Sequence, residues 1–322
     1  MSRHSGAPCR ASGALALLGV LAAACAGTPE ADPRYRPAES VLEVIAVLQR
    51  HVPDDTYRFA PAQDFTGRNV YRSSLLRLES MERLHAKALR AANMEGVVTF
   101  AKGRALERLG AYALAAEAYD VAAEIDTELR VEAQRSADVC RALDEATAMA
   151  IGLDELASPD GVSPDSERVL ERYEQRARRL EEIARGADDH YLFVAREELE
   201  RTDMARARYF LAMRQLLSGG DVRTAAELER VVARHRDSKL ANRHVLELAE
   251  LYEVLAVEYV DAHPPESLGF DPVRFQELTD ATSRLYEVVA NQDGRAEKLE
   301  ASRRLEAFLA FALRVDRDRF TR

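Results

Sequence analysis

Between Gly103 and Thr127 the chain runs GRALERLGAYALAAEAYDVAAEIDT, and this stretch constrains the fold more tightly than any other. Tyr112, Ala115, Tyr119 and Ala122 are spaced three, four and three apart, so they share one helix face. Leu106 belongs to a preceding helix. Gly110 falls where the turn between the two helices needs a residue free to take positive φ. Small residues at Gly103, Gly110, Ala115 and Ala122 let two antiparallel helices cross closely, with the Tyr112 and Tyr119 rings filling the space beside the contact. The expectation is an all-α chain built from helical hairpins.

The composition supports helix well beyond this stretch. Ala, Leu, Glu and Arg dominate the 322 residues, there is no Trp, and 47% of the chain is hydrophobic, enough for one large or two ordinary domains. Gly103, Leu106, Gly110, Tyr112, Ala115, Tyr119 and Ala122 together resemble the tetratricopeptide repeat (TPR), a helix–turn–helix unit of about 34 residues. Thr99 and Lys102 stand where that family has Trp and Leu, and Thr127 stands at its closing Pro. The resemblance implies a repeat at about 96–129 within an irregular TPR-like helical-hairpin solenoid. In that family the first helix of each repeat lines a groove, which implies a possible partner-binding groove at Phe100, Arg104, Glu107 and Arg108. The alternative at those residues is a core Phe100 among solvated charges.

Two further registers are candidates for later repeats: Val222, Ala225, Glu229 and Val232, and then Leu278, Ala281, Leu285 and Val288. Their offsets from Ala115 are not multiples of the repeat length, so any solenoid is irregular. The run VVARHRDSKLANRHVLELAELYEVLAVEY is similar to repeats of the BamD-like periplasmic lipoproteins that assist outer-membrane assembly, with Arg236 in place of their Pro. That similarity implies protein partners in a bacterial cell envelope.

The N-terminus suggests an address. Arg3, His4 and Arg10 precede an apolar run, Ala14 to Ala24, which is too short for a comfortable membrane span and has the layout of a signal peptide. It ends Leu21-Ala22-Ala23-Ala24-Cys25, which resembles a bacterial lipobox and implies lipidation at Cys25. Ordinary cleavage after Ala24 is the alternative. Ala26 rather than Asp follows the Cys, which in lipoproteins implies an outer-membrane anchor facing the periplasm. The net charge is −10, and removing Arg3 and Arg10 makes it more negative, which argues against nucleic acid and against a basic grip on anionic lipid.

The expected organisation is a signal peptide over 1–24, a tether over 25–37, a helical domain over 38–151, a linker over 152–164 and a second TPR-like domain over 165–322. The spacing predicts helices over 38–51, 70–92, 94–109, 111–125, 128–151 and 166–185. It predicts another over 188–217 with a break near Thr202-Asp203, and others over 221–235, 271–292 and 295–319. The aromatic loop VPDDTYRFAPAQDFTGRN, residues 52–69, either packs back on the body or is a working surface for a cell-wall-associated enzyme or enzyme cofactor.

No phosphate loop, HExxH or nucleophile elbow occurs, so an enzyme is not expected and neither is a cofactor. The histidines past the leader do not pair at metal-ligand spacing. Asp188-Asp189-His190 is expected to be a helix cap and Asn291-Gln292-Asp293-Gly294 a C-terminal turn, with no metal at either. Cys140, among Val139, Leu143 and Ala146, is expected to be a buried thiol.

Overall fold

The computed structural model describes residues 36–149 and 166–319. The leader, Cys25, the tether up to Tyr35 and the 152–164 linker lie outside the described residues. Among the described residues there are eleven α-helices and no strand: α1 (Pro37–His51), α2 (Val70–Ala91), α3 (Glu95–Arg108), α4 (Tyr112–Ile125), α5 (Arg130–Ala148), α6 (Ser166–Gly186), α7 (His190–Met213), α8 (Gly220–Arg234), α9 (Ala241–Ala262), α10 (Pro272–Ala290) and α11 (Glu297–Asp318).

Each helix packs on its successor in the chain, and α1 with α3, α5 with α7 and α9 with α11 also touch. The α3–α4 hairpin shows why. Gly110 takes φ +76° in the turn, and Tyr112, Ala115, Tyr119 and Ala122 are all buried. A Cβ on Gly103 would stand 2.7 Å from Tyr119 Cε1, so only glycine admits the ring at that crossing. Phe100 then meets Tyr119 edge to face at 5.2 Å.

Helix starts follow the local chemistry. Pro37 and Pro272 occupy first turns, and the Asn69, Asp189 and Asp271 side chains accept first-turn amides. Asp189 therefore caps α7, as the sequence predicts.

In α2 the buried side chains run from Val70 to Met81 and resume at Leu89, while Leu84 is exposed. Non-helical dihedrals at His85 rotate the last turns relative to the first. In α8 the buried residues are Thr224, Leu228 and Val231, while Val222 is exposed and Glu229 reaches the Tyr252 hydroxyl. In α10 they are Phe275, Leu278, Thr282, Tyr286 and Val289, while Val288 is exposed. Relative to the predicted faces, the α8 register turns by one residue toward the N-terminus, and beyond Leu278 the α10 register turns by one toward the C-terminus.

The predicted break at Thr202-Asp203 is absent. α7 runs unbroken through both residues, which are buried, with Thr202 Oγ1 donating to Glu198 O and Asp203 held by cations from α8.

Candidate functional site

The four candidate groove residues of α3 divide between two sides of the helix. Phe100 and Arg104 line a cleft of about 370 Å³ between α1, α3 and the start of α5, together with Ile45, Leu48, Val52, Val97, Leu129 and Glu132. Its wall is mostly apolar, with Arg104 and Glu132 joined at one end by a 2.6 Å ion pair. Arg108 lies on the other side, where its Nη2 donates to Asp54 O at 2.6 Å and its guanidinium covers the Tyr71 ring. Glu107 points inward, and its side chain is fully buried.

Glu107 is the centre of a closed polar network. Its carboxylate accepts from Tyr119 Oη at 2.6 Å, Tyr191 Oη at 2.7 Å and His190 Nε2 at 2.6 Å, with Arg104 Nη1 at 3.4 Å. An ionised carboxylate only accepts, so His190 carries its proton on Nε2. Burial works against the Glu107 charge. The His190 hydrogen bond and the Arg104 guanidinium outweigh it and hold the carboxyl down at about 2. Burial likewise opposes the Arg104 charge, yet Glu107 raises its pKa. Burial and the Glu107 charge push the Tyr119 and Tyr191 phenols and the Cys140 thiol upward. Cys140 is therefore a buried neutral thiol, as its neighbours predict.

α7 carries more of the same chemistry. Glu198 accepts from Tyr112 Oη at 2.8 Å and Arg201 at 2.5 Å. Glu200 meets His244 Nε2 at 2.7 Å. Asp203 meets His235 Nε2 at 3.0 Å, Arg230 at 3.0 Å and Arg234 at 3.1 Å. Burial opposes the Asp203 charge, but the His235 hydrogen bond and the α8 arginines lower its pKa. Spacing along the chain does not mark these carboxylates as interior. The available signal is weak amphipathicity: the acids of α7 at 197, 198, 200 and 203 are interleaved with Val194, Leu199 and Met204 rather than gathered on one polar face.

The 52–69 loop is partly packed and partly open. Tyr57 is buried, its hydroxyl 2.9 Å from His235 Nδ1, and its carbonyl accepts from Lys239 N at 3.0 Å. Thr56 Oγ1 donates to Glu197 at 3.0 Å. Asp64 accepts from Thr66 and Ser73 and closes a turn through Gly67, whose φ is +79°. Phe59 and Phe65 stay exposed, at 67% and 101%. Loop aromatics do not act alike here: one is an anchor and two face solvent.

Among the described residues no group of three His, Cys, Asp or Glu side chains is placed to hold a metal ion, and no helix is long and apolar enough to cross a membrane. The arrangement offers a mostly apolar cleft that carries the Arg104–Glu132 ion pair, with Glu132 half exposed and Arg104 also in contact with the buried Glu107. No protein-family model, curated protein or solved structure matches the chain.

Proposed function

We propose that this chain is a bacterial envelope scaffold, anchored by lipid at Cys25 on the periplasmic face of the outer membrane, whose helices form an irregular TPR-like solenoid that holds a segment of a protein partner in envelope or outer-membrane assembly. The observation that carries the binding role is the apolar cleft between α1, α3 and α5, walled by Ile45, Leu48, Val97 and Phe100. It lies between alternate helices of the chain, where TPR grooves lie. Two features support the solenoid: the Gly103–Tyr119 crossing, and contacts between helices two apart in the chain, α1 with α3, α5 with α7 and α9 with α11. The lipobox-like leader supports the anchor.

A photo-crosslinking residue at exposed Gln49, on the cleft edge, tests the binding role in native membranes. The expected result is a specific envelope protein, lost when Ile45→Glu and Val97→Glu are introduced together. A crosslink pattern indifferent to those two changes removes the cleft from the proposal. Cys25→Ser tests the anchor separately, with loss of lipid label and of membrane fractionation as the expected result.

Exposed Phe59 and Phe65 favour a second reading, in which the 52–69 loop is the working surface of a cell-wall-associated enzyme or cofactor. Phe59→Ser with Phe65→Ser leaves the Tyr57 anchor intact. Loss of a cell-wall phenotype at unchanged Tm supports this reading, and an unchanged phenotype removes it.

A further inference from the structure

A cleft of about 480 Å³ opens where the 52–69 loop, the α8–α9 turn and the α10–α11 connector meet. It shares none of its lining with the Phe100 cleft. One part of its wall is apolar: Phe59, Val232, Val245 and Val288. The rest is basic: Arg58, Arg236, Lys239 and Arg295, against the single lining acid Asp237. Arg58 and Lys239 are tied to Asp55 and Glu197. Arg236 Nε donates to Ala233 O at 3.3 Å, and neither Arg236 nor Arg295 forms an ion pair with a carboxylate among the described residues, which leaves their Nη groups for a ligand.

We infer that this cleft binds an acidic peptide segment of a partner protein, with an apolar side chain against Phe59 and the three valines and carboxylates on Arg236 and Arg295. Both halves of the wall are needed for this choice. A free inorganic anion leaves the apolar half wet. A nucleic acid or an anionic bilayer meets much of the protein surface, and the chain carries a net charge of −10. A short segment entering the cleft meets chiefly its lining charges, which are four cations against Asp237; Asp55 and Glu197 engage Arg58 and Lys239 and leave Arg236 and Arg295 to the segment. The polar lining groups Ser238, Asn242 and Gln292 are suited to the backbone of such a segment. This inference depends neither on the Phe100 cleft nor on the anchor.

The test is a titration of the full chain with a fluorescein-labelled hexapeptide, Asp-Glu-Leu-Phe-Glu-Asp, by fluorescence anisotropy. Saturable binding is expected, weakened at least about tenfold by Arg236→Glu with Arg295→Glu, and by a similar factor in about 0.5 M salt. Both arginines are exposed, so an unchanged Tm is the accompanying control. A peptide with Ser in place of Leu and Phe is expected to bind more weakly. Absence of saturable binding below about 1 mM overturns the inference, as does affinity indifferent to the charge reversals. Equal binding of the Ser peptide, with full displacement by inorganic phosphate, also overturns it by reducing the cleft to a bare anion site.

Discussion

Glu107 and His190 lie 83 residues apart in the chain and meet at 2.6 Å inside the protein, one on α3 and the other at the first turn of α7. The contact ties the N-terminal hairpins to the longest helix of the C-terminal half, and two tyrosines and an arginine close around it.

This contact makes stability depend on acid. The Glu107 carboxyl ordinarily titrates at 4.5 and is held down at about 2 in the folded protein. A depressed carboxyl stabilises the fold fully above its unfolded pKa. That contribution, on the order of 3 kcal/mol, is lost as pH falls from about 4.5 towards about 2. Urea unfolding at a series of pH values is expected to show this decline in the parent and a shallower one in Glu107→Gln. Glu107→Ala at neutral pH leaves the buried Tyr119 and Tyr191 hydroxyls without their acceptor, while Arg104 keeps Glu132, and is expected to cost about 3–5 kcal/mol.

The Gly103–Tyr119 crossing leaves no room for a methyl group. Gly103→Ala places a Cβ 2.7 Å from the ring, and the expected destabilisation is about 1–3 kcal/mol despite the gain in helix propensity. Gly186→Ala is the control, since nothing lies within 4 Å of its Cβ position, and a change within about 0.5 kcal/mol is expected. Thermal melts of the two variants compare them directly.

The loop anchor at Tyr57 is a hydrogen-bonded pair. Burial pushes the Tyr57 phenol up to about 12, so it stays protonated at neutral pH. With Nε2 facing the Asp203 carboxylate, Nδ1 of His235 is the acceptor for the Tyr57 hydroxyl. Tyr57→Phe is expected to cost about 1 kcal/mol and to speed amide exchange at Lys239, whose N–H bonds the Tyr57 carbonyl. Unchanged exchange at Lys239 would mean that the loop holds without the hydroxyl.

Much of the helical layout was legible from the residues alone. Gly110 at positive φ, Asp189 and Asp271 as caps and Pro37 and Pro272 in first turns are choices a residue makes with its nearest neighbours in the chain. The Tyr112–Ala115–Tyr119–Ala122 face was legible for a related reason, since its spacing leaves the helix one side to bury. Where the pattern was weak, a single-residue turn of α8 and α10 went unseen. Val222 and Val288 are apolar enough to pass for inward residues and are exposed.

The candidate site was less legible. Phe100 and Arg104 line a cleft, whereas Glu107, which the helix spacing sets beside them, is sealed inside. Sequence spacing places a residue on a helix face, and it cannot say which neighbour will cover that face. For Glu107 the cover comes from His190 and Tyr191 of α7.

The sequence by itself determined an all-helical chain, the limits of most helices to within a few residues, the hairpin crossing at Gly103 and the buried thiol at Cys140, because each follows from contacts close along the chain. Only the tertiary structure decided which charges are interior. Glu107, Glu198, Glu200 and Asp203 are buried because each finds donors on another helix, and a charge leaves water only where such partners wait. Those partners are set by how the helices stack, which no local pattern encodes.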